Sequence, residues 1–89
     1  MDRRLGFIGI IIEDRKHSAG QVNSLLSDFG DRIVARTGVP QREHDRSVIT
    51  LVIEATTDEV GRLTGKLGSI SGVSVKSALS KQKAGGDTA

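Results

Sequence analysis

The stretch Leu5-Gly6-Phe7-Ile8-Gly9-Ile10-Ile11-Ile12-Glu13 is a β-branched apolar run closed by a charge, the pattern of a strand. Successive strand side chains alternate between faces, so Leu5, Phe7 and Ile11 share one side and Ile8, Ile10 and Ile12 the other. A second run, Ser47–Ala55 (SVITLVIEA), repeats the pattern. Ile49, Leu51 and Ile53 fall on one face, and Val48 and Val52 fall opposite with Thr50. Two strands this apolar on both faces belong in the middle of a sheet.

The segments around them supply the other elements. After the polar stretch Asp14–His17, expected as a loop, Ser18 and Gln21 have capping-box spacing. Val22, Leu25, Leu26 and Phe29 follow at i, i+3, i+4 and i+7, one stripe of a helix that Gly30 would end in a left-handed conformation. Ile33–Thr37 alternates as a strand, and Gly38–Asp45 (GVPQREHD) reads as a long hairpin connection with Val39-Pro40 extended. Thr56 and Glu59 repeat the capping-box spacing before a second stripe, Val60, Leu63 and Leu67. Gly68 and Gly72 flank a turn carrying Ile70, and Val73, Val75 and Leu79 mark a final half-exposed strand. Residues 1–80 are expected to form one domain, with 81–89 a flexible tail.

The order is β-α-β-β-α-β. With crossovers of the usual hand it gives an α+β, ferredoxin-like two-layer sandwich: a four-stranded antiparallel sheet with two helices on one face. Two helices cover one face, yet both central strands are apolar on both. Three or four aliphatic side chains left in water, at roughly 1.5–3 kcal/mol each, would forgo an amount comparable to the stability of a small domain. The expected remedy is self-association through the sheet, as a dimer or tetramer.

The chain has 89 residues, no Cys, and 13 Lys+Arg against 11 Asp+Glu, a net charge of +2. Thiolate chemistry, disulfides and thiolate metal sites are excluded. The basic residues are spread along the chain and base-stacking aromatics are scarce, which argues against direct nucleic-acid binding. No leader pattern and no apolar run of about 18 residues occur, so a soluble, cytoplasmic protein without membrane contact is expected.

No catalytic constellation is present. His17 and His44 are the only histidines, and a tight metal site needs three or four converging ligands, so neither a metal nor another cofactor is expected. Ser18 beside His17 lacks the spacing of a triad, and Asp58-Glu59 suits a helix first turn. The candidate ligand-binding residues are Asp14, His17, Ser18 and Gly20, where amides at a helix start would receive an anion and Gly20 would permit close approach.

Ile11-Ile12-Glu13-Asp14-Arg15, Gln21-Val22-Asn23-Ser24-Leu25-Leu26, Arg36-Thr37-Gly38-Val39-Pro40, Gly65-Lys66-Leu67-Gly68 and Gly72-Val73-Ser74-Val75-Lys76 resemble the iron-only hydrogenase system regulator family over residues 5–79. The resemblance implies a ferredoxin-like fold related to ACT regulatory domains and to the C-terminal domain of nickel-responsive regulators. Both relatives assemble through sheets and bind small effectors at subunit interfaces. The chain departs from the nickel regulators in lacking the cysteine and histidine set of their metal site. It departs from amino-acid-binding ACT domains in having Arg15-Lys16-His17 after Asp14 instead of an Asp-x-Pro-Gly loop. No ribbon-helix-helix or helix-turn-helix pattern occurs to read an operator. The expectation is a non-enzymatic, ACT-like regulatory domain, a transcriptional regulator by family, that homo-oligomerises and senses a small effector between subunits. The alternative is an adaptor that binds a protein partner without a ligand.

Overall fold

A computed structural model describes residues 2–82. Seven of the nine residues expected as a tail, 83–89, lie outside the described residues. Four strands, β1 (Arg4–Ile12), β2 (Ile33–Gln41), β3 (Arg46–Ala55) and β4 (Val73–Leu79), form one antiparallel sheet in the order β2-β3-β1-β4. The helices are α1 (Arg15–Asp28) and α2 (Thr57–Gly68). This is the βαββαβ ferredoxin-like, ACT-like α+β arrangement, with β1 and β3 central as their sequences require.

The core lies between one sheet face and the helices. Ile8, Ile10 and Ile12 of β1 and Ile49, Leu51 and Ile53 of β3 meet Val22 and Leu26 of α1 and Val60, Leu63 and Leu67 of α2. Leu25, Phe29, Ile33, Ile70, Val73, Val75 and Leu79 pack around that centre. The stripes read from sequence are therefore the buried ones.

α2 begins as its sequence dictates. The Thr56 hydroxyl accepts from the Glu59 amide at 3.1 Å, and a Glu59 carboxylate oxygen accepts from the Thr56 amide at 2.9 Å. Arg32 donates to the same carboxylate at 2.7 Å, tying the chain after α1 to the start of α2. The Thr56 amide first, and then Arg32, hold the Glu59 carboxyl down at about 2.

α1 departs from expectation. It begins three residues before Ser18, and Asp14 is the cap, accepting from the His17 amide at 3.2 Å. No Ser18–Gln21 capping box forms: Ser18 is fully buried and its hydroxyl donates to the Ser71 carbonyl at 2.9 Å. The polar stretch read as a loop supplies the cap and the first turn, and His17 is a helical residue. Gly30 is also corrected. The helix closes on Phe29, and Gly30 opens a 3-10 turn, Gly30–Arg32, with no positive φ. Among the described residues Gly72, at φ 77°, is the glycine that takes a left-handed conformation, in the turn before β4.

β2 is longer than expected. The strand continues through Gly38, Val39 and Pro40 to Gln41, so the long hairpin connection shrinks to the 3-10 turn Arg42–His44 and the left-handed Asp45. Proline is tolerated because β2 is an edge strand, with a neighbour on one side alone. A register shift between Ile33 and Ala35 bulges β2 against β3.

Candidate functional site

The uncovered sheet face is apolar. Leu5 (49% exposed), Phe7 (52%) and Ile11 (42%) of β1 alternate with its buried isoleucines, and Val48 (44%) and Val52 (38%) do the same on β3. The pairings Phe7↔Val52 and Ile11↔Val48 set these side chains beside one another across the two central strands. Val39 on β2, paired with Val48, and Ala78 on β4, paired with Phe7, extend the surface outward.

The region expected to hold a ligand is engaged with the protein itself. The Arg15 amide donates to the Asp45 carbonyl at 2.7 Å, and the Lys16 amide donates to the Asp45 carboxylate at 3.2 Å. With Asp14 on the His17 amide, the donors of the first helical turn are all taken by this chain's own acceptors. Asp45 reaches this position in a left-handed conformation that aspartate tolerates, φ 53°. Asp14 and His17 are thus joined by a cap hydrogen bond, Ser18 turns inward to Ser71, and Gly20 lies exposed on the groove between α1 and α2. The four residues do not converge on one pocket.

A different cleft opens beside them, between α1 and β2, with a volume of about 240 Å³. Its floor is Ile12 and Ile49; Arg15, Ala19 and Asn23 line it from α1, and Arg36, Gly38 and Pro40 from β2. Arg36 donates to the Asn23 side-chain carbonyl across the cleft. No side chain closes the β2 wall at Gly38, where a Cβ would meet nothing within 4 Å. Arg15, Asn23, Arg36 and Gly38 were not singled out from sequence as binding residues. Asn23 and Arg36 lie 13 positions apart and have no motif spacing, so only the pairing of helix and strand could reveal them. Among the described residues no group of three or more His, Asp or Glu side chains is placed to hold a metal ion, and no helix is long and apolar enough to cross a membrane.

The fold and sequence have known relatives. The model of the TM1266-like family, described as iron-only hydrogenase system regulators, matches residues 4–77. The structure of the uncharacterized protein TM1266 from Thermotoga maritima is similar at a TM-score of 0.85 and 42% identity, covering 90% of this chain and all of that one. The ACT domain of the GTP pyrophosphokinase of Chlorobium tepidum is similar at a TM-score of 0.69 and 26% identity, covering 88% of this chain and 89% of that one. An unknown protein from Galdieria sulphuraria shares the fold at a TM-score of 0.66 and 7% identity, covering 91% of this chain and 47% of that one. No curated protein matches the chain in sequence. A match across both helices and all four strands, with one solved relative above 40% identity, is decisive: the chain belongs to the TM1266-like family of iron-only hydrogenase system regulators.

Proposed function

We propose that this chain is a non-enzymatic regulatory domain of the cytoplasm that pairs with copies of itself through its sheet and responds to a small effector. The carrying observation is the row Leu5, Phe7, Ile11, Val48 and Val52, exposed on the face the helices leave bare. Apolar side chains contiguous across two central strands favour a partner of the same character, and a two-fold pair sets each face on its own copy. The regulatory family and the ACT-like fold support the regulatory part.

Effector sensing is assigned to the first turns of α1. Asp14 and Ser18 hold this segment through the His17 amide and the Ser71 carbonyl, so they position the residues that face the α1–β2 cleft. His17 and Gly20, both exposed, remain available to a ligand or neighbouring subunit. A ligand that favours one arrangement of the pair would act by population shift. Sedimentation velocity at low micromolar concentration tests the assembly, and thermal shift against a metabolite panel tests the sensing. The expected results are a dimer or tetramer and a saturable rise in melting temperature. A monomer throughout refutes the assembly. A stoichiometric protein partner with no ligand response supports the adaptor reading instead.

A further inference from the structure

We infer that the α1–β2 cleft binds a small organic anion, its carboxylate or phosphate held by Arg15 and Arg36 and its apolar part seated on Ile12 and Ile49. The inference deepens the effector reading above and rests on it. It names the ligand's chemistry and the residues that take it.

Three features point the same way. The first is charge. The cleft holds two guanidinium groups and no carboxylate. Elsewhere, Arg32 is paired with Glu59 and Arg46 approaches Glu13, whereas among the described residues neither Arg15 nor Arg36 has an acidic partner. Guanidinium groups present forked N–H donors that match carboxylate and phosphate oxygens. Asn23 accepts one N–H of Arg36, which ties that guanidinium to the α1 side of the cleft and leaves its other donors unused by this hydrogen bond.

The second feature is shape. The cleft, open to solvent along one side, offers about 240 Å³, room for a compact metabolite. Gly38 leaves the wall open, since any larger residue would project into the space. The third is the floor: the edges of Ile12 and Ile49, 1% and 6% exposed, with Pro40 beside them, give a ligand's hydrocarbon part a small apolar seat against the core while its charge stays at the arginines. The alternative anion site, the start of α1, is closed by Asp14 and Asp45.

The test is an amide-resolved NMR titration of the full chain with three probes: 4-methylvalerate, its uncharged amide, and inorganic phosphate. Saturable shifts at Arg15, Asn23, Arg36 and Gly38 with 4-methylvalerate are expected. Binding should be about tenfold weaker in Arg36→Gln, which loses one charge-assisted contact, and weaker still with the uncharged amide, which loses both. Gly38→Val, which fills the cleft without touching a charge, should abolish the response while the remaining spectrum stays native. Phosphate binding as tight as that of 4-methylvalerate overturns the apolar half of the inference, and weaker binding supports it. The absence of a saturable response to either anion, or an undiminished one in Arg36→Gln, overturns the whole. Sedimentation of the same samples separates the two claims: an oligomer with a silent cleft refutes the anion site alone, and a monomer that binds 4-methylvalerate refutes the assembly alone.

Discussion

Replacing Phe7 with glutamate should dissociate the assembly while leaving the subunit folded. Phe7, Leu5, Ile11, Val48 and Val52 retain between 38% and 52% of their surface in water. Full burial of such a side chain is worth roughly 1.5–3 kcal/mol, so the half still exposed represents about 1 kcal/mol each. Five per subunit and two subunits give about 10 kcal/mol, against an association cost of about 4–15 kcal/mol. The gain is of the same size as the cost, so one side chain decides the outcome. Phe7→Glu removes about 1 kcal/mol of apolar contact from each subunit and adds a carboxylate that must be desolvated without a partner. At 1.4 kcal/mol per decade, the dissociation constant should rise at least about 100-fold. Sedimentation equilibrium over a wide concentration range measures this, with circular dichroism confirming an unchanged fold. An unchanged dissociation constant in Phe7→Glu would show that the bare face is not the contact surface.

Glu59→Gln should cost about 1–2 kcal/mol at neutral pH, since a carboxyl held near 2 by the Thr56 amide and Arg32 stabilises the fold in its charged form, discounted here for solvent screening. That stability is complete above the unfolded value of about 4.3 and is lost as pH falls through about 2. Denaturant melts of wild type and variant should therefore converge at the acid end, and a constant gap across pH contradicts the assignment. Gly6→Ala should destabilise by about 1–3 kcal/mol, because its Cβ would collide with the Ala78 carbonyl oxygen and lie 2.6 Å from Leu79 Cδ2 in the β1–β4 pairing. An unchanged thermal midpoint would mean that β4 yields freely at this point. Ser18→Ala should cost about 0.5–1.5 kcal/mol by removing the hydrogen bond from the buried Ser18 hydroxyl to the Ser71 carbonyl, measurable by urea denaturation, and a neutral result would mean that water satisfies the carbonyl equally well.

Local pattern settled a good part of this protein. The alternation in Leu5–Glu13 and Ser47–Ala55 identified both central strands and the side chains left bare, because strand periodicity is a property of the chain itself. Thr56-x-x-Glu59 marked the start of α2 because both bonds of a capping box join residues three apart. Other features depended on partners distant in the chain. Asp14 and Ser18 are both cap-forming types, and Ser18 is withdrawn from that role by Ser71, 53 residues away. Gly38 and Pro40 look like turn residues and stay in a strand because β2 pairs along one edge alone. The α1–β2 cleft is the clearest case. Arg15, Asn23, Arg36 and Gly38 carry no shared spacing, and they line one wall and the other only because α1 packs over the sheet beside β2. Periodicity specifies which way a residue points along its own element, whereas the residue it faces is decided by how the elements pack.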